Sequence, residues 1–312
     1  MQLERAFDEN RRFLWALSYR MTGNAADADD VVQETFIRTL QHPPANTDEP
    51  LRPWLVKVAV NLSRDMLRRR RRQSYIGQWL PSPFQTENND IDLSYSEIED
   101  PLANPSERYE IIESVSFAFL LALEALTPTQ RAVLLLRDVF DLTVAEAAGA
   151  LKMSEQNVKT THHRARRAMR NYESRRANQG RAVIQRTEKI VKQLVRFLTE
   201  HDTESAAGLL SANIRSLSDG GGEFIAAKIP VVGREKVALF LANLFKGAEN
   251  LSFASRFTQI NGSVAMWITA DDPPAGVAPR VAMLFEPNAH DEIERIYFVL
   301  ASGKLTHMPR NN

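Results

Sequence analysis

Two all-α domains followed by an α+β domain are the fold that this 312-residue sequence predicts. Three observations carry the expectation. Residues Leu3 to Arg72 hold successive amphipathic helical patterns separated by breakers. The stretch Ala125 to Arg170 has the punctuation of a helix-turn-helix with a lead-in helix. From Thr187 onward, helical periodicity gives way to a long run of strand-like alternation, the order of an α+β domain. The length suits two or three domains.

In order, Leu3 to Arg20 reads as a helix with Phe7, Leu14, Leu17 and Met21 on one face, and Thr22-Gly23-Asn24 breaks it. Ala25 to Gln41 is a second helix, where Val32, Phe36 and Leu40 recur at four-residue spacing and are expected to be buried. Asp30, Gln33, Glu34 and Ile37 form a neighbouring, largely polar stripe that suits either a solvated face or a docking surface. His42 to Pro53 is a loop with four prolines. Trp54 to Arg72 is a third helix: Trp54, Leu55, Val58, Leu62 and Met66 supply apolar contacts, and Lys57, Asn61, Arg64, Asp65 and Arg68 leave a mostly basic stripe. It ends in five consecutive arginines, which suit a helix C-terminus and can meet phosphates.

In the helix-turn-helix, Thr127 is the expected N-cap with Pro128 at the first helical position. Val133, Leu134, Leu135, Leu136 and Val139 fill that lead-in helix. Thr143 and Glu146 form a capping box for a short, alanine-rich helix ending at Leu151. Lys152 and Met153 make the turn, and Ser154 caps the last helix. Val158 belongs to the core; Gln156, Lys159, Thr160 and His163 face the other way, where such motifs reach base edges. Arg164, Arg166, Arg167 and Arg170 are placed for phosphates. The same pattern also describes an ordinary helical hairpin with a basic solvated face.

Formal net charge is zero, but charge is segregated. Lys159 to Arg181 carries eight Lys or Arg and one acid, while Glu87 to Glu113 carries nine acids and one base. The absence of cysteine excludes disulfides and thiolate metal sites. With no signal peptide and no apolar run of membrane-spanning length, a cytoplasmic protein away from membranes is expected.

Gln73 to Glu107 is acidic and contains Pro81, Pro83, Pro101 and Pro105, the composition of a tether. Within it, Tyr75-Ile76-Gly77-Gln78-Trp79-Leu80-Pro81 is aromatic enough to seek a partner surface. The C-terminal part reads as helices over Thr187 to Glu200 and Asp202 to Leu210, then strands over Asn213 to Ser218 and Phe224 to Ile229. A further helix runs through Phe245, and strands follow over Leu251 to Ile260, Ser263 to Ala270, Val277 to Glu286 and Glu292 to Leu300. His201, Asp202, Asp219 and Asp271 are the ionisable candidates for catalysis there, but no spacing among them is diagnostic.

The ordered motifs "DADDVVQETFIRTL", "PWLVKVAVNLSRDMLRRRRR", "LTPTQRAVLLLRDVFDLTVAEAAGAL" and "SEQNVKTTHHRARRAM" resemble an extracytoplasmic-function (ECF) sigma factor over about the first 172 residues. The C-terminal element order resembles the SnoaL-like, or NTF2-like, cone. The resemblance implies a sigma region 2 helical bundle (1–73), an acidic linker (74–107), a region 4 helix-turn-helix domain (108–172), a connector (173–186) and a SnoaL-like regulatory domain (187–312).

It implies RNA polymerase core as partner, through the β′ clamp helices and β flap, with Asp30, Gln33 and Glu34 docking on the former. It further implies promoter DNA, with Lys57, Asn61, Arg64 and Arg68 at the −10 element and Asn61 at a flipped-base pocket. At the −35 element it implies Gln156, Lys159, Thr160, His163, Arg164 and Arg167, with His163 a departure from the family pattern. Asp219-Gly220-Gly221-Gly222 resembles the "DGGGK" signature of members with this extension, with Glu223 replacing the lysine, and the linker carries their "YxGxWLP". The tail reads Ala301-Ser302-Gly303-Lys304-Leu305, agreeing only in its last two residues with the subgroup's Asn-Pro-Asp-Lys-Leu. Trp79, Leu80 and Asp219 to Gly222 are therefore the expected regulatory contact.

The expected activity is promoter recognition without catalysis, cofactor or metal, in a chain that is a monomer when free. The cone pocket is a place for an unidentified small ligand. The alternative is a one-component, ligand-responsive DNA-binding transcription factor.

Overall fold

The computed structural model describes residues 2–44, 50–85, 113–173 and 181–309. The acidic stretch 86–112 and connector residues 174–180, both singled out in the sequence, lie outside the described residues. The chain divides into two compact units, Met1–Ser74 with Asn89–Arg175, and Tyr75–Asn88 with Arg176–Asn312. Residues 75–85, expected as the start of a tether, thus cluster with the C-terminal unit.

The first unit begins with α1 (Gln2–Thr22), α2 (Ala25–Gln41) and α3 (Arg52–Arg70). Gly23 at φ 68° turns the chain, and Asn24 caps α2 by accepting from the Ala26 and Asp27 N–H groups. Leu14, Leu17, Met21, Val32 and Phe36 are buried, as the periodicity predicts, and so is Val31, but Phe7 is half-buried and Leu40 is exposed. The buried stripe of α3 is Leu55, Val56, Ala59, Val60, Ser63 and Leu67, a correction to the expected stripe. Trp54, Val58, Leu62 and Met66 are only half-buried. The buried stripe mixes the small residues Ala59 and Ser63 with four larger apolar ones, so side-chain bulk alone does not tell which stripe is buried.

The same unit continues with α4 (Phe117–Ala122), α5 (Pro128–Leu134), α6 (Val144–Leu151) and α7 (Glu155–Glu173). Thr127 with Gln130 and Thr143 with Glu146 both close reciprocal capping boxes. Lys152 adopts the left-handed conformation in the turn, and Ser154 accepts from the Asn157 N–H at 3.2 Å. The lead-in helix is not uniform: Leu135–Val139 widens into a π-turn.

The second unit contains α8 (Arg181–Thr199), α9 (Thr203–Gly208), β1 (Leu210–Asp219), β2 (Val231–Val232), α10 (Arg234–Ala248), β3 (Phe253–Ile260), β4 (Ser263–Ala270), β5 (Arg280–Pro287) and β6 (Ile293–Val299). This is the element order of the SnoaL-like cone. The strand order is β2-β1-β6-β5-β4-β3, antiparallel except that β1 lies parallel to β6. The second strand, expected over 224–229, is instead the two-residue β2.

One sheet face, with Met266, Met283, Phe285, Ile296 and Phe298, shares a core with Val191, Leu194 and Leu198 of α8 and Val237 and Leu241 of α10. By register, the opposite face carries Asp219, Val299, Ala282 and Trp267 in one row and Tyr297, Leu284, Ala265 and Thr258 in the next. Residues 75–85 run along this second face, from Asp219 on β1 to Thr258 on β3.

Candidate nucleic-acid interface and linker clasp

The residues expected at the −10 element share one face of α3, exposed at Arg68 and half-buried at Lys57, Asn61 and Arg64. The Lys57 ammonium lies 5.7 Å from the Trp54 ring, and Arg68 is exposed and paired with Asp65 at 2.9 Å. Asn61 is half-buried and Arg64 donates to its Oδ1 at 3.4 Å. Arg64 also donates to Thr129 Oγ1 at 3.0 Å, in the first turn of α5.

The arginine run is more heavily engaged still. Arg70 reaches both Glu124 oxygens, at 2.7 and 2.8 Å, and the Thr22 carbonyl at 2.6 Å. Arg71 donates to the Leu126 carbonyl. Glu124 also receives Arg131, which is 1% exposed and donates to the Met21 carbonyl at 2.9 Å. Burial acts to raise the Glu124 pKa, but Arg131 and Arg70 outweigh it and hold it below the usual carboxylate value. Burial pulls Arg131 below the usual guanidinium value even with Glu124 opposing, and lowers Arg20 to about 10. Arginines that composition assigned to phosphates are thus held by the segment leading into the helix-turn-helix.

On α7, Val158, Ala165 and Met169 are buried. Gln156, Lys159, Thr160, His163, Arg164 and Arg167 are exposed, on the sides left free. Arg166, expected on phosphates, is instead held by Asp138 at 3.1 Å and Glu173 at 3.6 Å. A groove of about 420 Å³ beside the helix is lined by Arg137, Val144, Lys159, His162 and His163 among others.

Asp30, Gln33 and Glu34 meet Ile37, Leu62 and Met66 at a groove of about 430 Å³ between α2 and α3. Arg38 and Arg69 line it too, with Arg38 paired to Glu34 at 2.6 Å, so the groove offers charges of both signs beside apolar side chains, a composition that suits a protein partner.

In the second unit all six expected regulatory residues come together, around Asp219, which is fully buried. Its Oδ2 accepts from the Leu80 N–H at 2.7 Å and pairs with the Lys304 ammonium. Its Oδ1 accepts from Tyr75 Oη at 2.5 Å and from the Gly221 N–H at 3.0 Å. Lys304 also donates to the Leu80 carbonyl at 2.5 Å and lies over the rings of Tyr75 (4.8 Å) and Trp79 (4.4 Å).

The glycines admit the chain closely. A Cβ on Gly221 would stand 2.8 Å from Ala301 Cβ, and one on Gly222 would stand 3.0 Å from Ile76 Cδ1. Both have positive φ, 61° and 79°. At the other end of the segment, Phe84 and Asn261 exchange hydrogen bonds at 3.1 Å, and Gln85 bridges β3 at Ile260. Tyr75 and Lys304 were missed as site residues. The agreement of Lys304-Leu305 with the subgroup's tail signature was the signal that could have found the lysine.

The candidates for catalysis do not converge. His201 lies 3.6 Å from Glu249 on the surface, Asp202 caps α9, Asp219 belongs to the clasp and Asp271 is exposed. A carboxyl the sequence did not single out, Glu286, accepts from Tyr297 Oη at 2.8 Å. Burial pushes its pKa up, with Arg295 opposing. Among the described residues no cluster of His, Cys, Asp and Glu could hold a metal ion, and no helix is long and apolar enough to cross a membrane.

Comparison with known proteins gives two family matches, Sigma-70 region 2 over residues 6–73 and Sigma-70 region 4 over residues 116–169. The ECF RNA polymerase sigma factor SigJ of Mycobacterium tuberculosis is 29% identical over 284 residues, covering 89% of this chain and 86% of SigJ. SigL, an ECF RNA polymerase sigma factor of the same organism, is 32% identical over 166 residues, covering 53% of this chain and 84% of SigL. The crystal structure of M. tuberculosis SigJ matches with a TM-score of 0.70 at 25% identity, covering 98% of this chain and 99% of that one.

Proposed function

The chain belongs to the ECF RNA polymerase sigma factors, and from that premise we propose that its C-terminal cone regulates promoter recognition from within the same polypeptide. The observation that carries this reading is the Asp219–Lys304 clasp on Tyr75 and Leu80, because it ties the segment between the two DNA-reading modules to the cone.

In this reading Asp30, Gln33 and Glu34 dock on the polymerase β′ clamp helices. Lys57, Asn61, Arg64 and Arg68 act at the −10 element, and Gln156, Lys159, Thr160, His163, Arg164 and Arg167 at the −35 element. A pocket that takes an extruded −10 base returns part of the unpairing cost of promoter opening.

The clasp acts on reach. An extended residue spans about 3.3–3.6 Å, so holding residues 75–85 takes roughly 35 Å out of the tether between the modules. In the free protein the modules stay together, with Arg64, Arg70 and Arg71 occupied by Thr129, Glu124 and Leu126. Core polymerase binds the opened form better and shifts the population toward it. The fused domain thereby takes the place of a separate anti-sigma factor, and the chain works as a regulator with no reaction of its own.

The test is run-off transcription with core polymerase, comparing the full chain with Asp219→Asn. The variant keeps the side-chain size and loses the charge that holds Lys304. A several-fold rise in promoter-specific transcript is expected from the variant, and a fall would refute the anti-sigma role. Equal output from both proteins would refute regulation through the clasp.

A further inference from the structure

Asp138 stands in the π-turn Leu135–Val139, just before the helix-turn-helix, and its side chain is 7% exposed. Its Oδ1 accepts from His162 Nε2 at 2.6 Å, and its Oδ2 accepts from Arg166 Nη1 at 3.1 Å. A carboxylate only accepts, so the hydrogen sits on Nε2. The two partners are four residues apart on α7 and therefore lie one above the other on a single face. One carboxylate thus spans a full turn of the recognition helix. Asp138 thus faces α7 from within the π-turn itself, a local widening of the kind frequent at functional sites. Glu173 holds Arg166 from the far side at 3.6 Å.

We propose that Asp138 is a positioning residue for −35 readout, fixing the rotation and depth of α7 while withholding Arg166 from the DNA phosphates. The inference rests on the reading that α7 enters the major groove. Base contacts from Lys159, Thr160 and His163 discriminate only when the helix is held in one register. A phosphate contact adds affinity on every sequence alike. Freed from Asp138, Arg166 becomes such a contact on a helix that is less firmly seated. Asp138 therefore favours discrimination over affinity.

The experiment uses the full chain bound to core polymerase. The probes are a duplex selected by the wild-type holoenzyme from a random pool, and the same duplex with its −35 element scrambled. Binding is measured across a salt series for wild type, Asp138→Asn, Arg166→Gln and the double variant. Asp138→Asn is expected to lose about tenfold of the preference for the selected duplex, the size of one base contact. Its salt slope is expected to steepen by about 0.9, one added phosphate.

Arg166→Gln alone keeps the wild-type slope, and the double variant returns to it. Equal weakening on both duplexes with an unchanged or shallower slope would show a helix merely destabilised, and overturns the proposal. A slope reduced by Arg166→Gln alone also overturns it, because that arginine would already be on a phosphate. If the wild type fails to prefer the selected −35 element, the major-groove reading falls and takes the proposal with it.

Discussion

Asp219 and Lys304 are both buried, and a buried pair broken from one side leaves an uncompensated charge costing about 3–5 kcal/mol. Lys304→Met should therefore speed amide exchange at Leu80 and lower the unfolding midpoint of the second unit, while Asp219→Asn added to it should recover part of the loss. Glu124 makes a separate prediction with a definite sign. Its folded pKa lies below the ordinary carboxylate value, so the charged form stabilises the first unit fully above that value. The contribution disappears as pH falls through the folded pKa. Glu124→Gln should cost about 3 kcal/mol at neutral pH, since Arg131 loses its counter-charge, and should flatten the acid limb of a stability-against-pH curve. Glu124 was not legible as a site residue, and for Lys304 only the tail signature, not its pairing, was there to be read. The Asp219 partner of Lys304 is 85 positions away, and no local pattern reports such a pairing.

Elements fixed by neighbours in sequence were legible, and those fixed by distant packing were not. The N-cap at Thr127 and the capping box at Thr143 need only near neighbours, and both are present, with Gln130 completing a box at Thr127 as well. The π-turn at Leu135–Val139 leaves no trace in an apolar run, and Leu40 fits the buried periodicity of α2 yet faces solvent. The apolar pattern over 224–229 suggested a strand, but pairing with β1 begins only at Val231. The glycine loop was legible as a close approach and the family resemblance paired it with the Trp79 segment, but Ile76 and Ala301, which meet its glycines, were not singled out. Gly221→Ala tests that contact: the left-handed conformation costs a Cβ-bearing residue about 1–2 kcal/mol, and the new methyl meets Ala301. Loss of exchange protection in residues 75–85 and in the tail is the expected readout. A variant with wild-type protection would mean that the loop relaxes without loosening the clasp.

At the scale of the whole molecule, zero net charge conceals a chain whose acids and bases lie in separate blocks. The segregated charge and the helix-turn-helix pattern together pointed to nucleic acid where the net charge did not. The sigma modules were legible because their motifs recur in order, and the family resemblance set Trp79 and Leu80 against Asp219 to Gly222; the bonds that Asp219 makes to Tyr75, Leu80 and Lys304 are what no local pattern encodes. The central claim is that the clasp is closed in the free chain and opens when core polymerase takes the sigma modules. Hydrogen exchange of residues 75–85, compared between the free chain and the holoenzyme, measures this most directly. Strong protection of the Leu80 and Phe84 amides is expected in the free chain, with fast exchange once core is bound. Equal protection in both states would contradict it.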